Sequence, residues 1–131
     1  PCTEFSTARV PRIENPDLSL VIRCRDIVEI LQPQAWVLEN VVGSIRHLDG
    51  ILGLPNVIIG GKYVLWGKFP KFTANISHHS KMENDSWSTD PLRPQKRAYV
   101  PWAISEALRQ TLTYQTKLDH YAVKVKSQRS P

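Results

Sequence analysis

Apolar residues recur every three to four positions from Leu18 to Leu31: Leu18, Val21, Ile22, Cys24, Ile27, Val28 and Leu31. That spacing predicts an amphipathic helix with these residues as its buried stripe, Cys24 among them. Asn15-Pro16-Asp17 in front of it reads as a helix start, with Asn15 as N-cap, Pro16 at the first helical position and Asp17 favourable to the dipole. Gln32-Pro33 ends the helix. The next apolar run, Ala35-Trp36-Val37-Leu38-Glu39-Asn40-Val41, is short and follows a proline break, so it predicts a buried strand. Val42-Gly43 turns the chain, and Ser44 to Leu52 reads as a short helix with Ile45, Leu48, Ile51 and Leu52 on one side. Asn56–Ile59, Gly60-Gly61 and Lys62–Trp66 carry a hairpin signal, the glycines supplying the positive φ that a two-residue turn requires. From Gly67 to Lys96 no periodicity is legible. Pro101 then opens a last helix, with Ile104, Ala107, Leu108, Thr111 and Leu112 on one face. Beyond Lys117 the chain reads as a basic, fraying tail.

Helix followed by strand is the repeating half of an α/β sheet. In such sheets ligands bind beyond the carboxyl ends of the strands. Glu39 stands at that end of its strand, and an ionised carboxylate is costly to bury unpaired. It is therefore a site candidate by position; the competing reading is a strand-end cap whose carboxylate faces water.

Composition narrows this only a little. The chain has 131 residues, 41% of them hydrophobic and 22% charged, which suits one globular domain with one modest core. Seventeen basic against twelve acidic residues give a net charge of +5, a lean towards a polyanionic partner. Two cysteines, Cys2 and Cys24, are too few for a disulfide framework, and no stretch resembles a signal peptide or a membrane span, so a reducing, cytoplasmic setting is expected. The adjacent His78 and His79 have no second ligand cluster at metal spacing, and no metal is expected. The Asn-x-Ser triplets at Asn75 and Asn84 read as chance matches. The chain begins with Pro1-Cys2, as a piece of a longer protein would.

Two motifs then carry a resemblance. Pro1-Cys2-Thr3-Glu4-Phe5-Ser6 resembles the Pro-Cys loop of cytosine-C5 DNA methyltransferases, and Trp36-Val37-Leu38-Glu39-Asn40-Val41-Val42-Gly43 resembles their Glu-Asn-Val motif. Their order, the helix between them and the 37-residue separation of Cys2 and Glu39 all fit. Ala98-Tyr99-Val100-Pro101 and the helix after it resemble the family's last motif. The likeness covers most of residues 1–112 and is nearest to short phage and archaeal members.

The resemblance implies an α/β fold: the C-terminal part of a Rossmann-like S-adenosylmethionine-dependent methyltransferase sheet, with a hairpin and a C-terminal helix. On that reading residues 1–66 form a partial catalytic domain, 67–96 a small target-recognition segment, 97–116 the returning helix and 117–131 the basic tail. It implies methyl transfer from S-adenosylmethionine to C5 of cytosine in double-stranded DNA, the cytosine being flipped out of the duplex, in a DNA-methylation or restriction–modification setting. Cys2 is the implied nucleophile, adding at C6 so that C5 becomes enamine-like. Glu39 is implied to donate a proton or hydrogen bond at N3, and Asn40 to orient the loop by hydrogen bonds. Pro1, Ser6 and Val100 are implied to line the methyl-donor pocket. Arg9, Arg12 and Arg46 are candidates for lowering the pKa of the thiol and for holding the substrate.

The chain also departs from the pattern. The Gly-rich donor loop, the acidic residue for the ribose and the first strands are not in it. The hairpin carries no Gln-x-Arg-x-Arg, and Ala98 stands where an Asn is usual. Methylation by this chain alone is therefore not expected. The Glu39 strand lacks its usual flanking strands, and such exposed edges invite pairing with another chain. Two other readings stay open: the same chemistry on RNA, and a non-catalytic nucleic-acid-binding or assembly module working through its basic tail.

Overall fold

The computed structural model describes residues 4, 5, 11, 13–76 and 99–127, the last nine of these by backbone alone. The chain is mixed α/β. Its elements are α1 (Ser19–Leu31), β1 (Trp36–Val41), a single 3-10 turn (Val42–Ser44), α2 (Ile45–Leu52), β2 (Val57–Ile59), β3 (Tyr63–Lys68) and α3 (Trp102–Ser127).

The three strands form one antiparallel sheet in the order β1-β3-β2. Trp36 pairs with Lys68 and Val41 with Tyr63, while Val57 pairs with Leu65 and Ile59 with Tyr63. The central strand β3 is buried at Val64, Leu65 and Trp66 in succession. Successive side chains of a strand point to opposite faces, so such a run requires cover on both. Val64 and Trp66 pack with Leu48 of α2, Val21 of α1 and Phe5, beside Trp36 and Leu38. Leu65 packs on the other face with Ile59, Phe72 and Ile104 of α3. Helices therefore flank the sheet on both sides. The Trp66 indole N–H, buried with its ring, donates to the Gly53 carbonyl at 2.9 Å.

Several sequence expectations are corrected. Helix α1 starts at Ser19, not at Asn15-Pro16, and Leu18 occupies its N-cap without a side-chain cap. Asp17 is the reason: its carboxylate accepts from Ser19 N at 2.9 Å and Ser19 Oγ at 3.0 Å, a local bond that competes with an earlier helical turn. Of the expected buried stripe only Val21 is fully buried. Ile22, Ile27 and Leu31 are exposed, because no described element packs along the outer length of α1, and Cys24 is half-buried rather than core.

The hairpin loop has three residues, not two: Gly60 and Gly61 both take positive φ (58° and 64°), and Lys62 N–H closes the turn onto the Ile59 carbonyl at 3.1 Å. Strand β3 runs past Trp66 to Lys68, extended by Asn56, whose side-chain oxygen accepts from Gly67 N at 2.8 Å. The last helix does not end at 116. It continues to Ser127, since the sequence between Trp102 and Ser127 contains no glycine or proline to stop it. The segment 77–96, with His78, His79 and Trp87, lies outside the described residues.

Candidate functional site

Glu39 and Asn40 are neighbours in sequence and opposites in space. Asn40 lies opposite Val64 and points to the α1/α2 side, where it is only 8% exposed. Glu39 lies opposite Leu65 and so points to the face covered by α3. The strand alternation that places Leu38 in one core therefore sends Glu39 to the other side.

Asn40 holds the end of the strand. Its Oδ1 accepts from Val41 N at 2.8 Å, and the Ser44 hydroxyl donates to the Val41 carbonyl at 2.7 Å. Both backbone polar groups of Val41 are thus engaged by flanking side chains, and Ser44 is fully buried in doing so. Sequence reasoning missed Ser44 as a site residue. Its signal was a small hydroxyl residue directly after Gly43, where a carbonyl turning out of a strand wants a donor.

Glu39 has a different character. Its side chain is half-buried, and burial pushes its carboxyl above the ordinary glutamate range. Among the described residues no hydrogen bond or ion pair engages it. Tyr63, two positions along β3 from Leu65 and on the same face, has its phenol raised first by burial and then by the charge of Glu39. A partly desolvated carboxyl favours its proton-bearing form more than a solvent-facing one does. That is the property a general acid needs, and a solvent-facing cap lacks it.

Val100 lies on the same side of the sheet as Glu39, packed against the cluster of Ile59, Leu65, Phe72 and Ile104. Arg46 is not brought to that side. It stands exposed on α2, whose Leu48 packs on the opposite face, and its Nε donates to His47 Nε2 at 2.9 Å. The His47 ring in turn lies 5.8 Å from the Phe5 ring, a contact between α2 and the loop that follows Cys2. Cys2, Pro1, Ser6, Arg9 and Arg12 lie outside the described residues, so their positions relative to Glu39 are not assigned. Among the described residues no three His, Cys, Asp or Glu side chains gather as metal ligands, and no helix is long and apolar enough to cross a membrane.

No protein-family model, curated protein or solved structure matches this chain.

Proposed function

We propose that this chain is the part of a cytosine-C5 DNA methyltransferase that carries the nucleophile and the acid, acting with a further half that supplies the methyl-donor site. The observation that carries the reading is Glu39: a half-buried carboxyl two residues before the end of β1, engaged by no hydrogen bond or ion pair among the described residues and pushed by burial above the ordinary glutamate range, with Asn40 and Ser44 fixing the backbone directly after it. The paired Pro-Cys and Glu-Asn-Val motifs supply the chemistry. The Cys2 thiolate adds to C6 of a flipped cytosine, and negative charge develops on the ring. Glu39 at N3 takes up that charge by proton or hydrogen-bond donation, leaving C5 nucleophilic.

S-adenosylmethionine supplies the electrophilic methyl group in this chemistry. The residues of this chain that could wall its pocket on the Glu39 side, Val100 and its neighbours Tyr99, Pro101 and Trp102, offer no carboxylate for a ribose and no glycine-rich turn. The donor site is therefore completed outside them. In the same proposal the three-stranded sheet is the antiparallel margin of a larger Rossmann-like sheet, an arrangement common in doubly wound folds. The outer edge of β1, which pairs with no described strand, is where that sheet continues.

Two measurements test this. Calorimetry of the 131-residue chain with S-adenosylmethionine is expected to show no saturable binding at micromolar concentration, because the family's Gly-rich donor loop and its acidic residue for the ribose are not legible in the sequence. A micromolar dissociation constant would contradict the division into halves. With the donor-binding half added, duplex DNA containing 5-fluorocytosine is expected to form a covalent adduct that survives denaturation. The fluorine cannot leave C5 after methyl transfer, so the thiol stays attached. Cys2→Ser should form none, while Cys24→Ser, altered on a helix, should trap like the unaltered protein. Equal trapping by Cys2→Ser overturns the assignment.

A further inference from the structure

We propose that Glu4 is a positioning residue for Cys2: its carboxylate, bound to the Asp17 amide just before α1, is the second anchor of the loop that carries the thiol. This rests on the reading of Cys2 as the nucleophile, and it names what holds that residue in place.

The first anchor is Phe5. Its side chain is 5% exposed and packs with Val21, Leu48, Val64 and Trp66 on the α1/α2 face of the sheet, and its ring lies 5.8 Å from that of His47. Cys2 precedes Phe5 by three residues. Three residues of chain span at most about 10 Å. Glu39 points to the other face, so the direction in which the chain leaves Phe5 decides what the thiol can reach. One buried side chain fixes a point and leaves that direction free. A second fixed point, nearer to Cys2, removes the freedom. Glu4 supplies it, and its Cα is held by the chain within about 7 Å of that of Cys2.

The partner of Glu4 suits that work. Glu4 Oε2 accepts from Asp17 N at 2.6 Å, a bond across 13 residues of chain. That N–H lies just before α1 and has no helical carbonyl to bond. A carboxylate on a backbone N–H makes a short, charge-assisted bond, and the positive end of a helix favours it. Asp17 is itself fixed. Its carboxylate accepts from Ser19 N at 2.9 Å and Ser19 Oγ at 3.0 Å, which ties it to the first turn of α1. A backbone amide held in this way keeps its place, whereas an exposed basic side chain would move with its partner. Among the described residues no cation pairs with Glu4. The loop is thereby joined to α1 through Glu4, and to α2 and the sheet through Phe5.

The test has two arms. In the 131-residue protein, nitrogen-15 relaxation reads the order of the amide at position 4. An order parameter of about 0.85 is expected for the unaltered protein and for Glu4→Gln, which keeps an acceptor oxygen at the same reach, and about 0.6 or below for Glu4→Ala. In the protein joined to its donor-binding half, Glu4→Ala is expected to form the 5-fluorocytosine adduct about 10–100-fold more slowly in a single turnover, as misplacement of a reacting group does. The dissociation constant for the duplex should stay within a factor of a few, Tm should fall by no more than a few degrees, and Glu4→Gln should restore the rate. A contact that serves only the fold would not separate the rate from binding and Tm in this way. An unchanged order parameter in Glu4→Ala overturns the proposal, and so does a lowered one with an unchanged rate. A Glu4→Gln rate as low as that of Glu4→Ala overturns it too, since the charge and not the bond would then be responsible. Absence of any adduct with the unaltered protein is a different failure. It removes the methylation reading, while the order parameters still decide whether Glu4 anchors the loop.

Discussion

Glu39→Gln, in the protein joined to its donor-binding half, is expected to slow methyl transfer by roughly 10²–10⁴-fold, the usual worth of a positioned general acid. Binding of the target duplex should change much less, because the contact at N3 strengthens as charge develops on the ring and not in the ground state. The same variant has a stability signature of opposite sign to that of a strand-end cap. Burial raises the Glu39 carboxyl above its unfolded value. Its contribution is then fully present below the ordinary glutamate range and is lost as pH rises through the raised folded value. At neutral pH Glu39→Gln therefore removes the cost of a half-buried charge, and its Tm should equal or exceed that of the unaltered chain. Below about pH 4, where the carboxyl is neutral in both states, this advantage disappears. A carboxylate that only caps a strand or turn predicts the reverse, a loss of about 1–2 kcal/mol on amidation with the rate nearly intact. Single-turnover rates and a Tm series across pH on one variant distinguish the two. A rate within a factor of a few of the original, with a lowered Tm at neutral pH, would show that Glu39 is structural.

Gly67→Ala is expected to cost about 3 kcal/mol or more of stability, among the largest effects of any single methyl in this chain. Gly67 has φ 150° and lies opposite Val37 in the β1–β3 ladder. A Cβ there would fall onto the Trp36 carbonyl and the Val37 Cα, which are backbone atoms that cannot rotate away. Relief requires β1 to move off β3. That movement strains the Trp36–Lys68 pairing and the Gly67 N–H bond to Asn56, and it displaces the strand that carries Glu39. For a domain of this size the corresponding fall in Tm is on the order of 10 °C. Gly50→Ala is the matched control. It lies within α2, where an added methyl meets nothing within 4 Å, and should be neutral or stabilising by up to about 1 kcal/mol. Equal melting temperatures for the two variants would show that the approach of β3 to β1 at Gly67 is not as close as described.

The local elements were legible in the sequence because each depends on short-range patterns. A proline break and an apolar run were enough for β1, a double glycine for the hairpin, and helical spacing after Ser44 and Pro101 for α2 and α3. Glu39 was a candidate by a rule for the ends of parallel strands, whereas β1 pairs antiparallel with β3 and runs on to Val41. What the sequence could not supply was anything that depends on which surfaces meet. The apolar spacing of α1 was real, but most of that stripe is left open, since periodicity says which side of a helix is apolar and not whether a neighbour covers it. The helix start moved because Asp17 found a partner in Ser19 instead of leaving the cap to Asn15. Only the antiparallel register and the packing of the helices decided which faces Glu39 and Asn40 serve, and that Arg46 stands on the side away from Glu39. The type of each element is set by residues near one another along the chain. The environment of a side chain is set by residues brought in from elsewhere, and for Glu39 that environment is what separates an acid from a cap.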